Sequence, residues 1–268
     1  MTHEPLPDAG PPARAADLRM AGAWLARHDL AEARPTALLA GRLAVRRRAR
    51  LAAHVILAVL ILASALAHPA VGGLPPHRSL PALTALVAGL LLAQALLDRW
   101  VRRVDQRVGA TLSRRAAHLT PPGWRAVLGR PYAVFLLATF AGAMVLAGSA
   151  LAVPDPTVRQ LAVVLMIGLL GVAAIVVMQL RHLLRHPVVA EDEESLTADV
   201  IMRVEDAREL TTPSVQWSLP VVLLFGTAPA WWSAASIAYL IVGLLACIAL
   251  QARTPSSATV ARQAMSVR

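Results

Sequence analysis

The sequence predicts an all-α, polytopic helical membrane protein with six transmembrane helices arranged as three hairpins. Hydrophobic residues make up 57% of the chain, and the mean hydropathy is +0.58. Only 16% of the residues are charged, whereas soluble domains average about a quarter. The apolar residues also lie in long blocks, and the arginines fall mainly in alternate segments between those blocks. Composition, block length and charge placement therefore indicate a membrane protein.

Residues 1–50 are expected to form a cytoplasmic N-terminal tail and helix. Proline and glycine are frequent in residues 1–12, which predicts a disordered tail. Leu18, Ala21 and Leu25 recur at helical spacing, so a helix is predicted over 13–33, ended by Pro35. This helix is expected to lie on the membrane surface, to dock on the cytosolic loops, or merely to connect the tail to the first span.

The six predicted spans form a transmembrane domain over residues 51–250. The first four apolar blocks would be about 26 to 33 Å long as helices, close to the hydrocarbon thickness of about 30 Å. The last block, 217–250, would be about 51 Å long, which is too long for one crossing. Pro229, Trp231 and Trp232 indicate a turn at the interface, where the block is divided. The predicted spans are 51–67, 81–97, 132–153, 161–180, 217–228 and 231–250.

The arginines predict the orientation. All 26 basic residues are arginine. The two termini and every second loop together carry 24 of them, and the other loops carry 2. By the positive-inside rule, the N-terminus, the loops 98–131 and 181–216 and the C-terminal tail 251–268 are cytoplasmic, and the chain lies in the plasma membrane. The run from Arg46 to Arg50 is interpreted as part of this signal. The net charge of +10 is therefore explained by topology, and no nucleic-acid partner is expected. The composition is typical of a GC-rich bacterial genome.

Both long cytoplasmic loops are expected to contain helix. Apolar residues at helical spacing over 97–112 predict that the second span continues into the cytosol. The acidic run 191–194 predicts the start of another helix, because carboxylates favour a helix N-terminus. The acidic stretch 191–206 is expected either to pair with the arginine-rich loop in a small platform or to remain a separate solvated face.

Packing signals are weaker. Small residues at four-residue steps, at 85, 89 and 93 in the second span and at 230, 234 and 238 in the last, predict close helix contacts. The short fifth span contains Pro220, Gly226 and Pro229. It is expected to be a bent, packed helix, or a broken helix that exposes backbone to a substrate.

The sequence predicts no catalytic, cofactor-binding or metal-binding residues, no cofactor and no enzymatic activity, and it does not identify substrate-binding residues. No Asp, Glu or Arg lies inside a proposed span, and the usual hydrolase, metalloprotease and nucleotide-binding motifs do not occur. His54, His182 and His186 are expected to be interfacial rather than metal ligands. Gln94 and Gln179 are expected to bond across helices, to pack at the interface or to line a polar path.

The functional hypothesis is a permease-like transmembrane subunit that works with a separate cytosolic partner, for example an ATPase, in transport or export. The alternative is a non-transporting membrane scaffold or regulatory protein that binds a soluble partner or anionic lipid through its cytosolic loops. Both hypotheses rest on architecture, which is a weak guide to function. The expected partners are membrane lipid and a cytosolic protein.

Overall fold

A computed structural model describes residues 14–71, 76–111, 123–185, 193–212, 215–224 and 227–266. The predicted tail over 1–12 lies outside this range. Within it the chain is helical and contains no strand, which confirms the all-α part of the predicted fold class. The helices are α1 (Ala15–Arg27), α2 (Ala37–Val71), α3 (Pro76–Thr111), α4 (Trp124–Val127), α5 (Arg130–Leu151), α6 (Pro156–Arg185), α7 (Glu193–Glu209), α8 (Val215–Leu224), α9 (Ala230–Arg253) and α10 (Ser257–Ser266).

Four helical segments in the described chain are long and apolar enough to cross a membrane, as expected of a membrane protein. They are Thr84–Gln106 of α3, and the whole of α5, α6 and α9. They correspond to the predicted spans 81–97, 132–153, 161–180 and 231–250. The other two predicted spans are not among them. Residues 51–67 lie within α2, and residues 217–228 overlap α8, whose ten residues reach only about 15 Å.

Two helices extend beyond their predicted spans. α2 begins at Ala37 rather than at residue 51, so the basic segment before the apolar block is helical as well. α3 continues without a break to Thr111, which confirms that the second span runs on as a helix. The remainder of that predicted extension, over 112–119, lies outside the described residues. Each of the two helices therefore joins the apolar part of the molecule to its charged end.

The apolar core of the bundle is built by α3, α5, α6, α8 and α9. Leu165 and Leu169 of α6 pack with Leu219 and Leu223 of α8 and with Trp232 of α9. These five side chains are almost completely buried. The outward faces carry large exposed apolar side chains, which is the surface that lipid would cover. Examples are Leu137, Val145, Ile167, Val242 and Leu245.

The chain from α8 to α9 advances along α5. The Trp217 ring lies 5.8 Å from the Phe135 ring, near the start of α5. Trp232 donates a hydrogen bond from Nε1 to the carbonyl oxygen of Leu146, 2.9 Å away and close to the end of α5. α9 then returns antiparallel to α5. The predicted turn lies where expected, because Pro229 is the residue immediately before α9.

The two predicted small-residue stripes are not the packing surfaces. Residues 85 and 89 are exposed, as are 230, 234 and 238. A Cβ atom built on Gly89 would meet nothing within 4 Å, whereas one on Gly168 would lie 3.0 Å from Val87. A Cβ on Gly243 would lie 2.7 Å from the Trp217 ring. Alanine occurs on every face of these helices, so its spacing does not distinguish the buried face from the exposed one.

A second, smaller core lies at the charged end of the bundle. It joins α1, the start of α2, α7 and α10, and we call these elements, with residues 37–50 of α2, the polar module. Trp24 and Leu25 of α1 pack there against Ile201 and Met202 of α7 and near Ala261 of α10. Of the three expectations for the first helix, the structure therefore shows docking.

Hydrogen bonds hold α1 on α7. Trp24 donates from Nε1 to Glu205 Oε2 at 3.2 Å. His28 Nε2 lies 2.9 Å from Glu205 Oε1, and its Nδ1 lies 2.7 Å from the Trp24 carbonyl oxygen. Glu205 therefore holds two side chains of α1, the Trp24 indole and the His28 imidazole. A separate contact ties α7 to the apolar bundle, because the Arg208 guanidinium stacks on the Tyr132 ring of α5 at 4.9 Å.

α1 ends earlier than its prediction over 13–33. Asp29 adopts a φ of 58°, in the left-handed region. The N–H of Leu30 then donates to the carbonyl oxygen of Leu25 at 3.0 Å, and that of Asp29 to Ala26 at 3.4 Å. This is a Schellman cap, which satisfies the last carbonyl groups of the helix. The cap, rather than Pro35, ends α1.

Gly243→Ala is expected to lower the free energy of unfolding by about 1 to 3 kcal/mol, because the new methyl group would overlap a buried indole. Gly148→Ala is the matched control. Nothing lies within 4 Å of its Cβ position, so it should gain up to about 1 kcal/mol in helix propensity. Thermal unfolding in detergent, followed by circular dichroism, measures both. Equal melting temperatures for the two variants would contradict this packing.

Candidate functional site

Two rows of opposite charge face each other at the charged end of the bundle. Arg42, Arg46 and Arg50 follow at four-residue steps in α2, which places them on one face of the helix. They meet carboxylates from two other helices, so α2, α3 and α7 are joined by ion pairs. The carboxylates are Asp105 of α3 and Asp199, Asp206 and Glu209 of α7.

Arg46 is the centre of this ion-pair cluster and is only 8% exposed. Its Nη1 and Nη2 donate to the two Asp105 carboxylate oxygens at 3.2 and 2.9 Å. Its Nε donates to Asp206 Oδ2 at 2.9 Å. Burial alone would lower the pKa of Arg46, but the charges of Asp206 and Asp105 outweigh it, so the pKa is raised. The guanidinium therefore stays charged and holds α3 and α7 together.

Arg42 and Asp199 extend the cluster into the polar module. Arg42 donates from Nε to Asp105 at 3.1 Å and from Nη2 to Asp199 at 2.5 Å. The Asp199 side chain is fully buried, and its other oxygen accepts from Arg203 Nε at 2.8 Å. A buried carboxylate is tolerated when it is paired and hydrogen-bonded, as here.

Arg50 and Glu209 lie at the edge of the cluster. Arg50 Nε lies 2.5 Å from Glu209 Oε2, and Arg50 Nη2 lies 3.8 Å from Asp206. Burial raises the pKa of Glu209, and the charge of Asp206 adds to this, although Arg50 and His54 oppose it. The Glu209 carboxylate is therefore less fully compensated than the buried pairs around Arg46.

The acidic helix pairs with a different partner from the predicted one. α7 does start in the acidic run, at Glu193, as expected. Its described pairs with arginines of other helices run to α2, however, and not to the described part of the arginine-rich loop after the second span. In the described part of that loop, Arg102 pairs with Asp98 on its own helix. Arg99 and Arg103 point to the exposed side of α3. The platform exists, but the arginines before the first span build it.

A cavity of about 300 Å³ lies beside the ion-pair cluster, between α2, α3, α6 and α7. One part of its wall is charged and the other part is apolar, so the cavity lies where the polar and apolar parts of the bundle meet. The charged wall consists of Arg46, Arg50, Asp98, Arg102, Asp105, Asp206 and Glu209. The apolar wall includes Leu57, Leu97, Val101, Val172, Ile175, Val176, Leu183 and Leu210.

Four polar residues singled out from the sequence line this cavity: Gln94, Gln179, His54 and His182. Gln179 hydrogen-bonds across helices to Asp98, which is one of the three roles considered for it. His54 Nδ1 lies 2.7 Å from the Arg50 carbonyl oxygen, which requires that nitrogen to donate. In the described chain no group of three or more His, Cys, Asp or Glu side chains is placed to hold a metal ion. The partner proposed for His182, His186, lies outside the described residues.

Sequence reasoning missed the cavity itself. The spacing of the arginines in α2 was a usable signal, since a row at four-residue steps requires acidic partners once it is buried. The apolar wall supplied by Val172, Ile175 and Val176 gave no signal. These residues have the same hydropathy as their neighbours that face outward, such as Val177.

Comparisons with protein-family models, with curated proteins and with solved structures found no match for the chain. Function is therefore inferred from the geometry of the site.

Arg46→Met is expected to lower the free energy of unfolding by about 3 kcal/mol, because two partly buried carboxylates lose their central cation, and Arg42 and the more distant Arg50 compensate them only in part. Arg47→Met is the control, since Arg47 is exposed, and it should change stability by less than about 0.5 kcal/mol. Thermal unfolding of the purified protein measures both variants.

A rescue variant separates lost charge pairing from lost packing. Adding Asp105→Asn and Asp206→Asn to Arg46→Met should recover most of the stability, because no unpaired carboxylate then remains. If Arg46→Met and Arg47→Met unfold at the same temperature, the central role of Arg46 is wrong.

Proposed function

We propose that the chain is a permease-like transmembrane subunit of a transport or export system in the plasma membrane, and that it works with a separate cytosolic partner such as an ATPase. The cavity between α2, α3, α6 and α7 is the observation that carries this proposal. Ligand sites are typically concave, largely apolar and provided with a few convergent polar groups, and this cavity has those features. A protein that only anchors other proteins in the membrane needs no such space.

The proposed topology has six crossings, both termini in the cytoplasm and the polar module on the cytoplasmic side. The arginines support it, because 24 of them lie in the proposed cytoplasmic segments and only 2 in the proposed external loops. α2 supports the first crossing, because it exposes Leu51, Val55 and Leu62 as a lipid-facing helix would. For the fifth, the contacts of Trp217 and Trp232 with opposite parts of α5 support a passage along the bundle.

The polar module supports the proposal of a cytosolic partner. Its charges are largely used in internal pairs, such as Arg42 with Asp199, so its shape is fixed by α1, α7 and α10 packed on α2. A preformed surface binds a partner with little loss of conformational entropy. The proposal assigns no catalytic step to this chain, so any ATP hydrolysis belongs to the partner.

A second candidate function is a scaffold or regulatory protein that binds a soluble partner or anionic lipid through its cytosolic loops. Arg99 and Arg103 favour it, because both are exposed and lie on a different face of α3 from the cavity-lining Asp98 and Arg102. Basic residues near an anionic leaflet contribute about 1 kcal/mol each to binding.

Reporter fusions test the topology. Alkaline phosphatase is active only after export and green fluorescent protein fluoresces in the cytoplasm, so phosphatase fused after Pro154 or Ala228 should be active. At the C-terminus, a green fluorescent protein fusion should instead fluoresce, and a phosphatase fusion should be inactive. An active phosphatase at the C-terminus would mean an odd number of crossings and would reject the six-span arrangement.

Purification of the tagged chain from its native membranes tests the partner. An ATPase should copurify with the wild type and with the Arg99→Glu/Arg103→Glu variant alike, because the polar module does not depend on these side chains. Binding to vesicles that contain anionic lipid should fall only in the variant if the second candidate is correct. Absence of any ATPase, together with loss of vesicle binding in the variant, would favour the scaffold over the permease.

A further inference from the structure

We propose that the cavity binds a one-chain amphiphile with a cationic amine head group, the amine at the charged wall and the alkyl chain against the apolar wall. This inference deepens the proposed function and rests on it, since it names the class of molecule that the permease-like subunit would accept. It is argued from the shape of the cavity, from the pairing of its arginines and from its remaining acceptors.

The lining requires a ligand with two unlike ends. A fully polar molecule would leave Leu57, Ile175 and Val176 in contact with its polar groups, and a fully apolar one would desolvate Asp98 and Glu209 without compensation. The volume of about 300 Å³ equals roughly ten water-sized groups of about 30 Å³ each. A single medium-length alkyl chain with its head group fits in that space.

The arginines of the lining do not form an anion site. Arg46 uses all three of its nitrogens on Asp105 and Asp206. Arg50 is held by Glu209, and Arg102 pairs with Asp98. Arg50 and Arg102 keep further N–H groups, but each lies beside the carboxylate with which it pairs. An anionic head group at either arginine would therefore be repelled by Glu209 or Asp98.

The acceptors of the lining are in excess. It contains four carboxylates against three arginines, and Arg42, which reaches Asp105 from outside, is shared with Asp199. Burial raises the pKa of Glu209 although Arg50 is bound to it, so a further positive charge nearby would be favourable. An ammonium group with three N–H donors suits this set.

The experiment measures equilibrium binding of radiolabelled decylamine to the protein in phosphatidylcholine nanodiscs, with empty nanodiscs subtracted. We expect saturable binding of one molecule per chain. Unlabelled decylamine should compete, and decanoate and decanol, which have the same chain but other head groups, should not. Displacement by sphingosine, a one-chain amine lipid without a phosphate, would identify a lipid as the source of the amine, and displacement by short-chain alkylamines alone would identify a free amine.

Variants locate the binding in the cavity. Glu209→Gln should weaken it about tenfold, as expected for the loss of a hydrogen bond between charged groups. Ile175→Trp should abolish binding by filling the apolar wall. Leu170→Trp on the same helix is the matched control and should bind normally, because Leu170 is 57% exposed on the outer surface. Melting temperatures establish that each variant is folded.

Several results would overturn the inference. They are equal competition by decanoate or decanol, absence of saturable binding to the wild type, or unchanged binding in both Glu209→Gln and Ile175→Trp. The competition on wild-type protein needs no variant to fold. Its failure is also distinguishable from failure of the proposed function. Decylamine binding without amine flux in proteoliposomes containing the copurified partner would reject the permease, whereas flux of anionic solutes only would reject the amine.

Discussion

The charged end of the molecule depends on one guanidinium group held between two carboxylates. Arg46 comes from the helix before the first apolar block, Asp105 from the continuation of α3, and Asp206 from a helix a hundred residues further along the chain. Burying these charges is favourable only because each nitrogen of the guanidinium has an acceptor. The same contacts position the charged wall of the cavity, so the ion-pair cluster and the candidate site cannot be separated structurally.

Hydropathy was sufficient to find most of the apolar bundle. α5, α6 and α9 begin and end within a few residues of their predicted spans or extend them. The continuation of α3 was predicted by the helical spacing of its apolar residues. Local backbone chemistry explains one error. The left-handed Asp29 ended α1 without a glycine or proline as a signal. The break in the last apolar block was predicted at Pro229, which directly precedes α9.

The candidate site was less predictable, because it depends on which charge meets which. Arg46 and Arg47 are adjacent and identical in sequence terms, yet one is buried between carboxylates and the other is exposed. Helical phase alone separates them, by about 100° at 3.6 residues per turn. The interpretation of this run as a topological signal therefore applies best to Arg47 and Arg48. Arg46 and Arg50 also hold the tertiary structure together.

Because α2 is continuous, a movement of the polar module would also move the apolar bundle. Its 35 residues form one uninterrupted helix from the polar module to the far part of the apolar bundle, a rod of about 52 Å. A tilt of about 10° at the charged end would displace the opposite end by about 9 Å over that length. The cavity lies beside the point where this rod leaves the polar module. Any rotation of α2 that starts in the polar module would therefore also move Arg50, His54 and Leu57, which line the cavity.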